Sequence, residues 1–165
     1  MGFDLLQRSR FGARPVRLYR FQLQGAIWWF AQADREIETP GGVTWRPAKI
    51  ERDDIQQTSE RAKDKLKIRF GYLRDPYAPA LDLAAVATQS LGDLWHPYVP
   101  SDKVQVMCLD WMFGDTDPPK MMWSGVVSQP SFTDVELELN CLPSSAFGEA
   151  KNQGPKAQRA CWKPP

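Results

Sequence analysis

Histidine occurs once and cysteine three times in these 165 residues, and no apolar run approaches the length of a membrane span. Each scarcity removes a class of function. Cys108, Cys141 and Cys161 are irregularly spaced and make neither a disulfide framework nor a zinc-ligand pattern. Free thiols in a reducing compartment are the expectation for Cys108 and Cys141. The lone His96, in "LWHPY", supplies no nucleophile–base–orienter set and reads as a packing residue. No glycine-rich loop cradles a phosphate, and no series of oxygen ligands has the spacing of a calcium loop. Asp53 and Asp54 sit in a polar, solvated segment, and Asp115 and Asp117 in a turn that explains them by backbone geometry. Met1–Arg10 carries Asp4, Arg8 and Arg10 with no apolar core, so it does not read as a secretory signal. The net charge of +1 leaves no basic excess for a nucleic-acid groove. No enzyme is expected, and the chain is read as a soluble product made in the cytoplasm.

What is abundant is aromatic: seven tryptophans and an aromatic content of 12%. Aromatic side chains dominate cores and interfaces alike, so their number predicts large buried contacts without saying within or between chains. "VRLYRFQL" alternates Tyr19, Phe21 and Leu23 against Arg20 and Gln22, and "AIWWFAQA" follows Gly25 as its hairpin partner. "TPGGVTWRP" holds a turn at Pro40–Gly42 and a short strand to Arg46, with Pro47 marking a strand end. "KLKIRF" points Leu66, Ile68 and Phe70 inward. "ALDLAAVATQSLGDLW" shifts to helical spacing, predicting a helix over about 81–94. "DKVQVMCLDWMF" and "MMWSGVVS" pair as a hairpin, and "FTDVELELNC" turns Val135, Leu137, Leu139 and Cys141 to one face.

The fold class expected is therefore mainly β: a small barrel or sandwich of seven or eight short strands with one inserted helix. The β-rich domain is expected over 1–142, with a basic arm at 1–15, and an extended tail over 143–165. Arg8, Arg10, Arg14, Arg17 and Arg20 crowd the N-terminal region, either as a solvated face or as an arm that docks on an acidic neighbour. Trp28 and Trp29 pose a sharper question. Adjacent strand residues face opposite ways, so if one ring fills a core, the other needs a second surface.

Read in order, "VRLYRFQL", "WWFAQADREIETPGGVTWRPAKIERDDIQQTSERAKDKLKIRF", "DKVQVMCLDW", "MMWSGVVSQPSFTDVELELN" and "QRACW" resemble the tail-tip hub family of long-tailed phages and gene transfer agents, which includes the lambda minor tail protein L. The pieces that carry the likeness are Leu18–Phe21, Ala33-Asp34, Gly42 through Pro47, Ile50-Glu51-Arg52 with Ile55 and Gln57, and Trp123 through Val127. The resemblance implies a non-enzymatic virion component at the tail tip. Such hubs form a ring, generally trimeric, between the distal tail protein and a central fibre or spike. The ring leaves a channel for the tape measure protein and then for DNA in transit; a hexameric distal ring is the neighbouring alternative. Interface candidates on this reading are Trp28, Trp29, Trp45, Trp111 and Trp123, with Arg8, Arg10, Arg14 and Arg17.

Family members also carry a C-terminal cysteine cluster that ligates iron and sulfur. Here "QRACW" matches its start, so Cys161 is a ligand only if residues outside this chain complete the set, since such a cluster takes about four thiolates. No cofactor is assigned to the chain as given. Two further readings stand beside the hub: a metal-binding protein with ligands elsewhere, and a virion-surface module that binds the host through exposed tryptophan.

Overall fold

Period-two alternation of apolar and polar residues becomes strand almost everywhere it occurs. The computed structural model describes residues 15–55, 65–74 and 87–144. In chain order these form β1 (Val16–Leu23), β2 (Ala26–Ala31), β3 (Ile37–Thr39), β4 (Val43–Pro47), β5 (Ile50–Arg52) and β6 (Leu66–Gly71). Then come the short helix α1 (Gln89–Gly92), a 3₁₀ turn (Asp93–Trp95), β7 (Gln105–Trp111), β8 (Lys120–Phe132) and β9 (Glu136–Pro143). The nine strands make one sheet, in the order β3-β4-β2-β1-β7-β8-β9-β6-β5. The mainly β reading holds, but among the described residues the strands form a single sheet that is not closed into a barrel.

The reason lies in how the sheet ends meet. β4 is next to one end of the order and β5 is the other end, yet only Ala48 and Lys49 separate them in sequence. Ala48 N–H donates to the Ala31 carbonyl at 3.0 Å, at the end of β2, and the Lys49 carbonyl accepts from Gly71 N–H at 3.4 Å, at the end of β6. The sheet is thus curled until β2 and β6 approach, and a covalent crossing spans the gap where a closed barrel would have a ladder.

Inside the curl, Tyr19, Phe21, Phe30, Ile68, Phe70, Leu137, Leu139 and Cys141 form the main core. Phe21 meets Phe30 and Phe70 edge to face, both at 6.3 Å between ring centroids. On the outer face the β3–β4 hairpin folds over β1 and β7, and Leu18, Ala31, Ile37, Trp45 and Trp111 make a second cluster. A sheet buried on both faces in one region explains why β2 reads as a continuous apolar run.

Of the helix expected over about 81–94, the span 81–86 lies outside the described residues. The rest is a single turn, α1, running into the 3₁₀ turn. This turn is fixed to β6 by polar bonds: the Gln89 amide donates to the Leu73 carbonyl at 2.8 Å and accepts from Leu73 N–H at 3.1 Å. The Thr88 hydroxyl donates to the Gly71 carbonyl. Tyr72 packs flat against Gly92, where a Cβ would fall 2.0 Å from the ring, and its hydroxyl donates to Asp93 at 3.1 Å. Only glycine admits that approach.

Two strand boundaries differ from the sequence pattern. Val135 is 58% exposed, because β9 starts one residue later. Its place is in a turn where Thr133 Oγ1 accepts from Glu136 N–H and the Val135 carbonyl accepts from Tyr72 N–H. β8 runs on to Phe132, through Pro130. The β7 ladder ends at Val126, so Pro130 has a strand neighbour on the β9 side alone and its missing N–H costs no bond.

Candidate assembly surface and interior ion pair

β1 and β2 pair from Leu23↔Ala26 at the turn to Leu18↔Ala31, with Gln24 at φ +50° making the hairpin tight. This register sends Trp28 inward beside the main core and Trp29 outward into the second cluster. The β3–β4 hairpin therefore answers the problem posed by adjacent tryptophans: it is the cover over Trp29. Trp29 meets Trp45 edge to face at 4.9 Å, and the Arg20 guanidinium lies 5.1 Å from the centroid of the Trp29 ring. Neither ring is fully covered; Trp28 and Trp29 are both half-buried.

The other sequence candidates separate by burial. Trp45, Trp111 and Trp123 are buried, at 2%, 6% and 8% exposure, so within one subunit they are packing residues. Trp45 Nε1 donates to Thr39 Oγ1 and Trp111 Nε1 to the Asp117 carbonyl, each at 3.0 Å. Trp45 and Trp111 share the outer cluster with Trp29, whereas Trp123 lies in the main core. Arg17 lies 3.8 Å from Asp54 in an exposed ion pair. Arg8, Arg10, Arg14 and Cys161 lie outside the described residues.

Between β2 and β4 the surface opens. The parallel ladder joining them begins only at Phe30↔Arg46, so the strands fork toward Ile27 and leave a cleft of about 480 Å³. Ile27, Trp28 and Trp29 form one wall, Glu36, Thr44 and Arg46 the other, and Ala87 and Ser90 close an end. The cleft is aromatic on one side and charged on the other. Nearby on the outer face, Phe113 is 51% exposed, packs on Trp111 at 6.0 Å, and carries the Arg35 guanidinium 4.8 Å above its ring.

The feature that pattern reading passed over is inside the curl. Arg52 of β5 donates from Nη2 to Asp110 Oδ1 of β7 at 3.1 Å, with the two side chains 5% and 20% exposed. Alternation held the signal: Arg52 follows the inward Ile50 at a spacing of two, and Asp110 follows Val106 and Cys108 in the same way. A charge at an inward position on each of two strands is a buried pair. Near it, the Tyr19 hydroxyl and Arg52 Nε are buried with no hydrogen-bond partner. Burial pushes the Tyr19 phenol well above its usual range.

This arrangement offers no activated nucleophile among the described residues. Burial pushes the Cys108 thiol up to about 12 and raises Cys141 as well, so both stay protonated. Among the described residues no three His, Cys, Asp or Glu side chains converge on a metal position. Both described cysteines are buried in the main core. His96 packs against Tyr72 and Phe132, at 6.4 and 6.1 Å between centroids, as a residue of the core margin. No described helix is long and apolar enough to cross a membrane.

Comparison with known proteins agrees with a fold of this kind. No family model matches the chain. An uncharacterized protein of Xylella fastidiosa (strain 9a5c) is 47% identical over 163 residues, which is 99% of this chain and 33% of that protein. The chain therefore spans about a third of the relative's length. Among solved structures, a chain of the virion of a native gene transfer agent particle superposes with a TM-score of 0.63 over 88% of this chain and 45% of its own, at 13% identity. That likeness is one of fold.

Proposed function

We propose that this chain is a structural domain of a phage-like virion, placed at the tail tip as a subunit of an oligomeric hub ring, with three copies favoured. The ring would lie between the distal tail protein and a central fibre or spike, leaving a channel for the tape measure protein and for DNA. The observation that carries this reading is the fold shared with a gene transfer agent virion chain, in a sequence whose ordered segments resemble the hub family. A non-enzymatic role agrees with the neutral buried thiols and the half-buried aromatic pair on a forked sheet edge. Interface roles are proposed for Trp28 and Trp29, which keep surface to lose on assembly, and for the basic segment Arg8–Arg17.

An iron–sulfur cluster belongs, if anywhere, to a longer product: the relative is about three times the length of this chain. Cys161 and residues not in this chain, beyond Pro165 or on other chains, would have to supply its thiolates.

Cryo-electron microscopy of purified particles that carry a tagged copy of this chain tests the assignment. Three copies around the tail axis below the last tube ring are expected. Six copies would make it a distal ring, and a copy bound off the axis would refute a hub.

A further inference from the structure

The fork between β2 and β4 has a chemistry of its own. One wall presents Ile27, 40% exposed, and the half-buried Trp28. The other presents Glu36, Thr44 and Arg46, and Glu38 stands beside Thr44 in the β3–β4 ladder with the intervening Ile37 turned into the outer cluster, so two carboxylates accompany one guanidinium. Among the described residues Ala26–Trp29 have no strand partner on the β4 side. An occupant should be an extended segment with apolar side chains for the tryptophan wall and cations for the glutamates.

Residues 1–14 have that composition. Phe3, Leu5, Leu6 and Phe11 are accompanied by Arg8, Arg10 and Arg14, against a single acid, Asp4. The segment precedes β1 in sequence, and fourteen extended residues reach up to about 50 Å.

We propose that the β2–β4 cleft docks residues 1–14 of a second copy of this chain, an inference that rests on the ring reading above. Each subunit then gives one arm and receives one. A contact of that kind joins two different surfaces; passed from copy to copy it closes as a ring, and exchanged between two copies it closes as a dimer. Arginines on Trp28 and beside Glu36 and Glu38 combine cation–π contacts with charge-assisted bonds.

Directed crosslinking tests this. Two differently tagged full chains are mixed, one Thr44→Cys and the other Arg10→Cys, both in a Cys161→Ser background. Thr44 is exposed on the cleft wall, and the buried Cys108 and Cys141 do not compete. A disulfide joining the two tags is expected on mild oxidation, with its yield reduced several-fold by Glu36→Lys with Glu38→Lys. In sedimentation, deleting residues 1–14 should raise the oligomer dissociation constant about tenfold or more. No link between the two tags, while a chain carrying both Thr44→Cys and Arg10→Cys links within itself at monomer mobility, overturns the proposal. So does an unchanged dissociation constant after the deletion, which leaves the ring itself standing. A full chain that stays monomeric at every concentration removes the ring reading and this inference together.

Discussion

Removing the Asp110 carboxylate should destabilise the protein far more than its single hydrogen bond suggests. Arg52 is 5% exposed and its Nη2 lies 3.1 Å from Asp110 Oδ1, a gross attraction of about 5 kcal/mol at an effective dielectric of 20. Most of that only offsets the cost of taking both charges out of water. In Asp110→Ala the attraction goes and the guanidinium stays buried, so the loss should be about 3 kcal/mol. That is the lower part of the range for broken buried pairs, because Asp110 keeps 20% exposure. The double variant Arg52→Met with Asp110→Leu removes the desolvation cost with the attraction, and should return to within about 1 kcal/mol of the parent. Urea unfolding of parent, both single variants and the double, with coincident fluorescence and circular dichroism, gives the coupling energy directly. A loss below about 1 kcal/mol in Asp110→Ala would mean that water reaches the pair and the curl is open there. A double variant no more stable than the worse single variant would show that the pair sets the geometry of the sheet rather than merely tolerating burial.

Alkaline pH should unfold the protein through its buried thiols and phenols. Cys108 ionises near 9 in the unfolded chain but is held up to about 12 when folded, so above pH 9 the unfolded state binds fewer protons and stability falls. That contribution is intact below pH 9 and is lost at about 1.4 kcal/mol per pH unit as pH rises toward 12; a urea midpoint unchanged between pH 8 and 10.5 would contradict it. Gly125→Ala should cost about 2–3 kcal/mol, since its Cβ would lie 2.1 Å from the Leu142 carbonyl oxygen and 2.3 Å from the Trp123 ring. Gly25→Ala, with nothing within 4 Å, should stay within about 0.5 kcal/mol, both variants being compared with the parent by urea unfolding.

Alternation made the interior legible. Tyr19, Phe21, Leu66, Ile68, Phe70, Leu137, Leu139 and Cys141 are inward in the sequence pattern and buried in the fold. Pairing between distant strands was not legible, since a strand's period names its buried face and not its neighbour. Nothing in "VTWRPAKIER" says that β4 and β5 belong to opposite flanks of one sheet, or that two residues between them decide against a closed barrel. Val135 was misplaced for a related reason: alternation continues through a turn when the turn's residues happen to fit it. The aromatic candidates were found by residue type, yet type alone did not separate Trp45, sealed beneath its own hairpin, from Trp28, open on the fork. Arg52 and Asp110 were missed because charged residues were read as surface by default, when their strand positions already pointed inward.

The Ala48–Lys49 crossing acts as a tether of fixed length. Two residues extend no further than about 7 Å, so the radius of the sheet is set by a covalent span, while the strands around it could adopt flatter twists. A ladder resists opening bond by bond, but a tether resists all at once and not at all until it is taut. Inserting glycine and serine between Ala48 and Lys49 would thus leave every strand pair in place and still relax the whole curvature, with the slack showing first where Arg52 reaches across to Asp110.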